Sequence, residues 1–490
     1  MNEPVLAALA AQPATTLALV GHGHRWSTAE VLGEVDRAAA FIEAAKVVAV
    51  LADNGPAWVI ADLASLHARK VHLPLPGFFS PAQMAFVLEQ TAADTVLTDQ
   101  PERIGALDLG FAITGSWQGL TCMRRVIAPV AMPAGTAKIS FTSGSTGTPK
   151  GVCLSAEGLA DTARALYERL ADLPVERHLA ALPLALLLEN VAGVYAPLLR
   201  GAAVHLPSLQ DIGWRGMAGF DPAALQAAVA AGEPASLILV PELLKAWSLL
   251  LGHTGQRAPA SLNYVAVGGA RVDPALLAQA RALGLPAYQG YGLTECGSVV
   301  SLNRPGDDGD DVGRPLGHVR IAVADGEVQV AARAFLGYLG GDPASAGSFA
   351  TGDLGEFLGN GHLALAGRRK NLLITSFGRN IAPEWVESVL LAQPAIAQAV
   401  VVGDARPALG AIVVPRPGVG NAELAGAIAA ANAQLPDYAR VGHWLASEAF
   451  TVLNGRATGN GRPVRHTINQ HFAAEIAAFY DQEEAPHAVL

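Results

Sequence analysis

The chain has few charged residues for its size. Charged side chains make up 16% of its 490 residues, and apolar ones make up 51%. This composition argues against a disordered protein, because a chain that is half apolar can build large buried cores. The formal net charge is −10 and no long basic run occurs, which disfavours a nucleic-acid partner. The length predicts more than one domain.

Cysteine is also scarce. Cys122, Cys153 and Cys296 lie far apart and form no CxxC or Cys/His metal pattern. This spacing disfavours structural zinc and a disulfide framework, and it fits a reducing cytoplasm. The first 20 residues contain Glu3 but neither lysine nor arginine, so the positive region of a secretory signal is missing.

One apolar stretch is long enough to span a membrane. Residues 179–199 read LAALPLALLLENVAGVYAPLL, which would suffice in length. Glu189, Asn190 and two prolines interrupt it, and a central glutamate is costly in lipid. We therefore predict a buried core helix with its flanks and no membrane span, with a transmembrane helix as the alternative.

The order of predicted elements favours an α/β fold, with α+β character in parts. Strand-like runs precede helical ones at 46–70 and again at 235–251 and 262–284, which is typical of largely parallel sheets. Residues 326–371 have short strands and many glycine-containing turns, and alternation resumes after them. We predict a large N-terminal domain of stacked sheets and helices with a β-rich subdomain (1–369), and a small C-terminal α+β domain (370–490).

A polar loop separates two apolar runs. Residues 140–152 read SFTSGSTGTPKGV. Open backbone N–H groups, hydroxyls and one lysine can bind a polyphosphate, whereas a flexible surface linker is the alternative. The loop is not a Walker A motif, because Gly151 and Val152 follow Lys150 where that motif has its Ser/Thr.

Further motifs follow in a fixed order. They are QGYGLTE (289–295), TGD (351–353), GRRKNLLITSFGRNIAPEWVE (367–387) and NGRATGNGRPVR (454–465). Together with the loop they resemble the adenylate-forming superfamily of acyl-CoA synthetases, luciferases and peptide-synthetase adenylation domains, over nearly the whole chain. The NIAP-x-x-VE form is most similar to the branch that handles medium- to long-chain fatty acids.

The resemblance implies a two-step reaction. Such enzymes join a carboxylate to ATP to give acyl-AMP and pyrophosphate, and then pass the acyl group to the thiol of coenzyme A or of a carrier protein. The large N-terminal domain holds the pocket, and the small C-terminal domain rotates between the steps. ATP, Mg²⁺ and coenzyme A are the implied cofactors and co-substrate.

The resemblance also implies a nucleotide site. Thr142 and Lys150 bound the phosphate loop, Tyr291 packs against adenine, and Asp353 binds the ribose hydroxyls, a task that suits a carboxylate because it accepts two hydrogen bonds. Arg368 is another ribose or phosphate contact. The remaining implied nucleotide-binding residues are Ser143, Gly144, Ser145, Thr146, Gly147, Thr148, Gly268, Gly269, Ala270, Gln289 and Gly292.

Four further roles follow from the same resemblance. Thr294 contacts the α-phosphate, and Glu295 is the Mg²⁺ ligand. Lys370 is the hinge residue between the domains. The loop that lines the thiol tunnel after rotation contains Ser376, Phe377 and Gly378.

The sequence departs from the family at a catalytic position. The family ends in T-x-x-G-K-x-x-R, and its lysine bridges the carboxylate and the α-phosphate, whereas here Arg462 holds that place. Arginine keeps the charge but is planar and forked, so the exchange is not conservative. Three interpretations follow: Arg462 does the lysine's work, adenylation is slow, or the chain is a remodelled relative with little ligase activity. We favour the first.

A second departure concerns the acid. Relatives often have a histidine facing the acyl carboxylate where this chain has Leu186, which favours an aliphatic or simple aromatic acid; another helix register would place a different residue there. We predict an acid–thiol ligase with Lys150, Thr294, Glu295 and Arg462 as catalytic residues. The alternatives are transfer to a carrier protein, other acyl-AMP chemistry such as β-lactone formation, and a sensor that binds without turnover.

Overall fold

The structure is a computed structural model that describes residues 3–142, 149–215, 219–342, 344, 348–377, 379–458 and 461–480. Helices and strands alternate up to Leu302, and strands dominate from Arg314 to Arg368. The predicted α/β class is therefore confirmed.

The strands are named in chain order. They are β1 (Leu17–Gly21), β2 (His24–Ser27), β3 (Val47–Leu51), β4 (Val71–Pro74), β5 (Thr95–Thr98), β6 (Ala112–Trp117), β7 (Leu120–Arg124), β8 (Thr136–Thr142), β9 (Lys150–Ser155), β10 (Arg177–Leu179), β11 (Ala203–His205), β12 (Ser236–Leu239), β13 (Tyr264–Val267), β14 (Ala287–Leu293), β15 (Ser298–Leu302), β16 (Arg314–Pro315), β17 (Arg320–Ala324), β18 (Glu327–Ala331), β19 (Phe335–Tyr338), β20 (Phe349–Phe357), β21 (Leu363–Arg368), β22 (Leu373–Ile374), β23 (Asn380–Ile381), β24 (Ile396–Val402), β25 (Leu409–Pro415) and β26 (Val441–Ala446).

The α-helices are named in the same way. They are α1 (Pro4–Ala10), α2 (Thr28–Phe41), α3 (Pro56–His67), α4 (Pro81–Gln90), α5 (Pro101–Gly105), α6 (Ala156–Arg169), α7 (Ala196–Arg200), α8 (Pro222–Gly232), α9 (Pro241–Thr254), α10 (Pro274–Ala282), α11 (Pro383–Ala392), α12 (Asn421–Asn432), α13 (Arg465–His471) and α14 (Ala473–Ala478). Local signals fix several starts, since Ser27 and Ser80 form capping boxes and Pro56 opens α3.

Two large sheets dominate the first part of the chain. One has nine strands in the order β16-β15-β14-β13-β12-β10-β11-β1-β2, and the other has eight in the order β19-β9-β8-β4-β3-β5-β7-β6. The central strands are parallel and the strands towards the edges are antiparallel. The prediction of largely parallel sheets is thus right at the centres and wrong at the edges. At the pairs β1–β2, β6–β7, β8–β9 and β14–β15 the connection is too short for a crossover.

The third sheet matches the predicted β-rich region. Strands β17, β18, β20 and β21 pair antiparallel in the order β17-β18-β20-β21. Beyond Arg369, β24, β25 and β26 form a sheet that shares a buried core with α11 and α12, including Val386, Leu390, Val413 and Ile428. The division of the chain into domains at 369/370 stays a prediction.

The apolar stretch 179–199 is buried, but it is not one α-helix. Its first residue ends β10, a π-helix runs from Glu189 to Tyr195, and α7 follows. The π-helix is the main difference from the prediction. Among the described residues, no helix is long and apolar enough to cross a membrane.

Two polar networks fill the interior beside this π-helix. Lys138 of β8 is fully buried and donates to Oδ2 of Asp62 on α3 (3.1 Å), to Asn190 and to the Tyr195 hydroxyl (3.0 Å). Tyr195 and Asn190 also donate to Asp62 (both 2.7 Å). The buried ammonium is therefore paired and hydrogen-bonded, as burial of charge requires.

The second network contains a glutamate that would be costly in lipid. Glu189 is fully buried; its Oε1 lies 3.0 Å from Nε2 of His178 on β10, and its Oε2 accepts from the Leu182 N–H (2.9 Å). The other ring nitrogen of His178 lies 2.9 Å from Oγ of Ser236 on β12. Burial raises the pKa of Glu189, and its hydrogen bond with His178 opposes that rise.

Candidate active site

The polar loop joins the ends of two antiparallel strands. β8 ends at Thr142 and β9 begins at Lys150, and these two residues are opposite each other in the ladder. Six of the loop's predicted phosphate-binding residues lie outside the described residues: Ser143, Gly144, Ser145, Thr146, Gly147 and Thr148.

Lys150 lies near an aromatic side chain that the sequence did not single out. Its Nζ is 5.7 Å from the ring centre of Tyr338 on β19, which pairs with β9. The Tyr338 hydroxyl donates to Oε1 of Glu295 (2.9 Å). Desolvation raises the pKa of Tyr338, and the charge of Glu295 adds to this, so the phenol stays protonated and acts as a donor. Tyr338 thus lies next to both Lys150 and Glu295, the predicted metal ligand.

Thr294 and Glu295 occupy a tight turn. They lie in a 3₁₀ turn (Thr294–Cys296) between β14 and β15. Within the described residues, no group of three or more His, Cys, Asp or Glu side chains could hold a metal alone. A single carboxylate is still compatible with Mg²⁺, which takes one or two protein carboxylates together with substrate phosphates and water.

Asp353 lies between a tyrosine and an arginine. The Tyr291 hydroxyl, from β14, donates to Oδ2 of Asp353 (2.7 Å), and Nε of Arg368 lies 2.8 Å from Oδ1. Asp353 and Arg368 are opposite each other on β20 and β21. Each carboxylate oxygen has about two acceptor positions, so the aspartate keeps capacity for two further hydrogen bonds. Desolvation raises the pKa of Tyr291, with the Asp353 charge next in importance.

The glycine pair after β13 lies at the surface of the site. Gly269 has φ +92°, in the region that favours glycine, and Ala270 next to it is exposed. A Cβ on Gly268 would lie 3.3 Å from Leu188, and one on Gly269 would lie 3.5 Å from Val240. The side chain against Gly268 is therefore Leu188, and both Leu186 and Leu188 pack on the buried cluster that includes Leu239 and Val267.

Gln289 and Gly292 shape the strand that carries Tyr291. Gln289 is buried, and its Oε1 accepts from the Val272 N–H (3.3 Å), which ties β14 to the segment after the glycine pair. A Cβ on Gly292 would lie 1.9 Å from the Ser298 carbonyl oxygen. Only glycine allows β15 to approach so closely at this bulge.

The C-terminal arginine reaches the glycine pair. Nη2 of Arg462 donates to the carbonyl oxygen of Gly269, 193 residues away. Desolvation lowers the pKa of Arg462, the charge of Arg368 adds to this, and the carboxylates of Glu242 and Asp353 oppose it. The residue at the family's lysine position is therefore next to the segment predicted to line adenine and the acyl group.

Lys370 is a further positive charge near Arg368 and Lys150. It lies in a 3₁₀ turn directly after Arg368, and its pKa is lowered by desolvation, then by the charges of Arg368 and Lys150. Cationic side chains from the first sheets, from β21 and from the C-terminal segment thus converge. Such a group of positive charges favours a polyphosphate ligand.

The described thiol-tunnel residues contact other residues of the C-terminal part of the chain. Phe377 is 76% exposed, and the backbone N–H of Ser376 donates to the Arg406 carbonyl oxygen (3.0 Å). Phe377 lines an open cavity whose other described lining residues are Thr375, Arg379, Pro407 and Tyr438. Gly378 lies outside the described residues.

Comparisons with known proteins show which family the chain is similar to. A family model described as AMP-binding enzyme matches residues 6–334, and one described as AMP-binding enzyme C-terminal domain matches 370–484. A long-chain-fatty-acid–CoA ligase of Mycobacterium bovis is 28% identical over 87% of this chain and 86% of its own length. A 2-succinylbenzoate–CoA ligase of Salmonella typhimurium is 33% identical over 60% of this chain and 63% of its own.

Solved structures show the same fold. The O-succinylbenzoate coenzyme A synthetase of Bacillus subtilis in complex with AMP has a TM-score of 0.76 and 24% identity, and the match covers 95% of this chain and 98% of that one. The two family models together span most of the chain. The first contains Gly269 and the second contains Arg462, the two residues in contact. The chain therefore belongs to the AMP-binding enzyme family, as an adenylate-forming enzyme of the acyl-CoA ligase type.

Proposed function

We propose that this enzyme activates a hydrophobic carboxylic acid, aliphatic or simple aromatic, and transfers it to coenzyme A. The observation that carries the proposal is the contact between Arg462 and the Gly269 carbonyl oxygen. It brings a C-terminal cation to the site formed by the N-terminal part of the chain. This is the arrangement that adenylate formation needs, because a positive charge must face the carboxylate and the α-phosphate together.

In the first step, a carboxylate oxygen of the acid attacks the α-phosphorus of ATP. The bond from phosphorus to the bridging oxygen breaks, and pyrophosphate leaves with the electron pair. We assign charge stabilisation to Lys150 and Arg462, and a contact to the α-phosphate to Thr294. Glu295 would hold Mg²⁺, which when bound neutralises charge on the leaving pyrophosphate.

The nucleoside is held by the cluster around Asp353. We assign its two free acceptor positions to the ribose hydroxyls, while Tyr291 and Arg368 fix the carboxylate from either side. The ring of Tyr291 packs against adenine. Gly268 and Gly269 allow the ligand to approach the backbone closely.

In the second step, the sulfur of coenzyme A attacks the acyl carbon and AMP leaves. We propose that residues 370–490 form a domain that rotates about Lys370 to bring Ser376, Phe377 and Gly378 towards the adenylate. The rotation removes Arg462 from the site and opens a path for the thiol, and it limits the time that the reactive adenylate meets water.

The apolar surroundings of the glycine pair favour a hydrophobic acid. Leu188 lies against Gly268, and Val240 lies against Gly269. No charged side chain is needed to bind a hydrocarbon, whereas an amino-acid substrate would need one. The relatives named for long-chain fatty acids and for succinylbenzoate span the aliphatic and aromatic classes.

The test is direct product detection. Purified enzyme is incubated with ATP, Mg²⁺ and a panel of aliphatic, aromatic and amino acids, with coenzyme A, with a phosphopantetheinylated carrier protein, or with neither, and acyl-AMP, AMP and thioesters are detected by mass spectrometry. We expect acid-dependent acyl-AMP and, with coenzyme A, the acyl-CoA of a hydrophobic acid. ATP binding without adenylate from any acid would contradict the ligase proposal, and exclusive thioester formation on the carrier protein would contradict the acceptor.

Variants then test the role of Arg462. Arg462→Ala should keep ATP binding and lose adenylate formation by about a hundredfold, as loss of a preorganised cation near developing charge does. Arg440→Ala is the matched control, since Arg440 is a C-terminal-region arginine that pairs with Asp437. Full activity in Arg462→Ala would contradict the assignment.

A further inference from the structure

A buried lysine connects the N-terminal part of the chain to the C-terminal part. Lys245 on α9 is 7% exposed. Its Nζ donates to the carbonyl oxygens of Leu391, Gln393 (2.7 Å) and Ile396 (2.8 Å). All three acceptors lie around the end of α11 and the start of β24, about 150 positions further along the chain.

Each of the three ammonium protons of Lys245 has a carbonyl acceptor. A lysine ammonium has three donors and no acceptor, and here three carbonyl oxygens take them. Two of these carbonyls belong to the last turn and C-cap of α11, where the helix dipole favours a cation. The Gln393 carbonyl oxygen also accepts from the Ile396 N–H (3.2 Å). Among the described residues, no carboxylate lies within ion-pair distance of Lys245, so backbone alone holds the charge.

The contact is adjacent to the Arg462 contact. Val240, the N-cap of α9, lies against Gly269, whose carbonyl oxygen accepts from Arg462. Glu242, in the first turn of α9, is among the charges that act on Arg462. One end of a single helix therefore borders the catalytic contact, while one turn later Lys245 binds the C-terminal region.

We propose that Lys245 is a positioning residue that fastens residues 370–490 in the arrangement that places Arg462 in the site, and so supports adenylate formation but not thioester formation. The inference rests on the proposed function, because it needs two steps with different arrangements of the chain. Rotation of the C-terminal region would pull the end of α11 away from α9. It would then expose Lys245 to water, where the ammonium is well solvated.

The alternative is a purely structural contact. A lysine that only stabilised the fold would affect both half-reactions alike and would lower thermal stability. A positioning residue affects one half-reaction and changes how firmly the C-terminal region is held. The two roles therefore differ in the half-reaction that a substitution slows.

The experiment compares Lys245→Met with Lys245→Arg and with Lys70→Met. Lys70 is the matched control because its Nζ also donates to a backbone carbonyl, that of Glu43 (2.6 Å), within the first part of the chain. Assays are run at pH 6.5, because desolvation lowers the pKa of Lys245 to about 7. The charge of Arg416 adds to this lowering, and the charge of Glu242 opposes it. At pH 6.5, which is below this pKa, most Lys245 side chains are protonated and can donate three hydrogen bonds.

Two readouts are made on each full-length protein. The first is the rate of trypsin cleavage after residues 369 and 370, which needs no catalysis. The second separates acyl-AMP formation from thioester formation, the latter started with supplied acyl-AMP and coenzyme A. Lys245→Met should raise cleavage about tenfold and slow acyl-AMP formation about tenfold, with thioester formation unchanged, because the hydrogen bonds it removes exist only in the fastened arrangement.

Lys245→Arg should bring both the cleavage rate and the rate of acyl-AMP formation most of the way back to wild type. The reason is that its guanidinium can also donate to several carbonyls. Unchanged cleavage in Lys245→Met, or equal loss of both half-reactions, would overturn the proposal. A wild-type protein that forms no adenylate would refute the proposed function, while the cleavage rates would still decide whether Lys245 fastens the C-terminal region.

Discussion

His72 should make the fold sensitive to mild acid. It lies on β4, fully buried, with its ring edge-on to Trp58 at 5.3 Å between centroids. Neither ring nitrogen makes a hydrogen bond within the described part of the chain. Desolvation lowers the pKa of His72 to about 4; the Asp62 carboxylate opposes this and Lys138 adds to it. The imidazole is therefore neutral in the folded protein at neutral pH.

The sign and size follow from linkage. The unfolded chain has a histidine pKa near 6.5, above the folded value of about 4. Between these values the unfolded state binds more protons, so stability is lost as the pH falls through this window. From the two pKa values, His72 should cost about 2 kcal/mol of unfolding free energy by pH 5 and about 3 kcal/mol by pH 4.

The assay is urea unfolding at pH 7 and pH 5, with wild type compared to His72→Phe. Phenylalanine keeps the packing against Trp58 and removes the proton site. The variant should lose about 2 kcal/mol less than wild type between the two pH values. His253→Phe, at an exposed position of α9, should lose as much as wild type. The same pH dependence in wild type and His72→Phe would refute the reasoning.

Three further predictions concern the site. Gly292→Ala should lose nearly all adenylate formation, because its Cβ would lie 1.9 Å from the Ser298 carbonyl oxygen and must push the β14–β15 bulge apart; a crystal structure and acyl-AMP assay check this. Tyr338→Phe should raise the Mg²⁺ concentration needed for half-maximal adenylate formation by a few-fold, since it removes the 2.9 Å hydrogen bond that orients Glu295; a Mg²⁺ titration measures it, and an unchanged titration would contradict it. Removal of Mg²⁺ by a chelator should stop acyl-AMP formation in wild type, and Glu295→Gln should need about ten times more Mg²⁺ for the same rate; equal requirements would show that Glu295 is not a ligand.

Local signals in the sequence predicted the elements well. The buried run at 47–51 and the proline at residue 56 predicted β3 and α3, because a run of β-branched residues favours a strand and proline fits the first helical turn. The order of the motifs predicted the family. Neither result depends on contacts between distant parts of the chain.

Contacts between distant segments were out of reach. Tyr338 lies in an unremarkable strand, and only the pairing of β19 with β9 brings it to Lys150. Lys245 lies in an ordinary amphipathic helix, and its acceptors are backbone carbonyls that no sequence pattern marks. The structure does bring Arg462 to Gly269, whereas the role of each site residue stays a prediction.

The π-helix at 189–195 has a consequence for how the two large sheets are held. Its neighbouring residues Glu189 and Asn190 contact different sheets: Glu189 bonds His178 of the nine-stranded sheet, and Asn190 bonds Lys138 of the eight-stranded sheet. A π-turn holds one residue more than an α-turn. The extra residue lets the π-helix form buried hydrogen bonds to both sheets. Deleting one residue here would restore a regular α-helix and turn at least one polar side chain away from its buried partner.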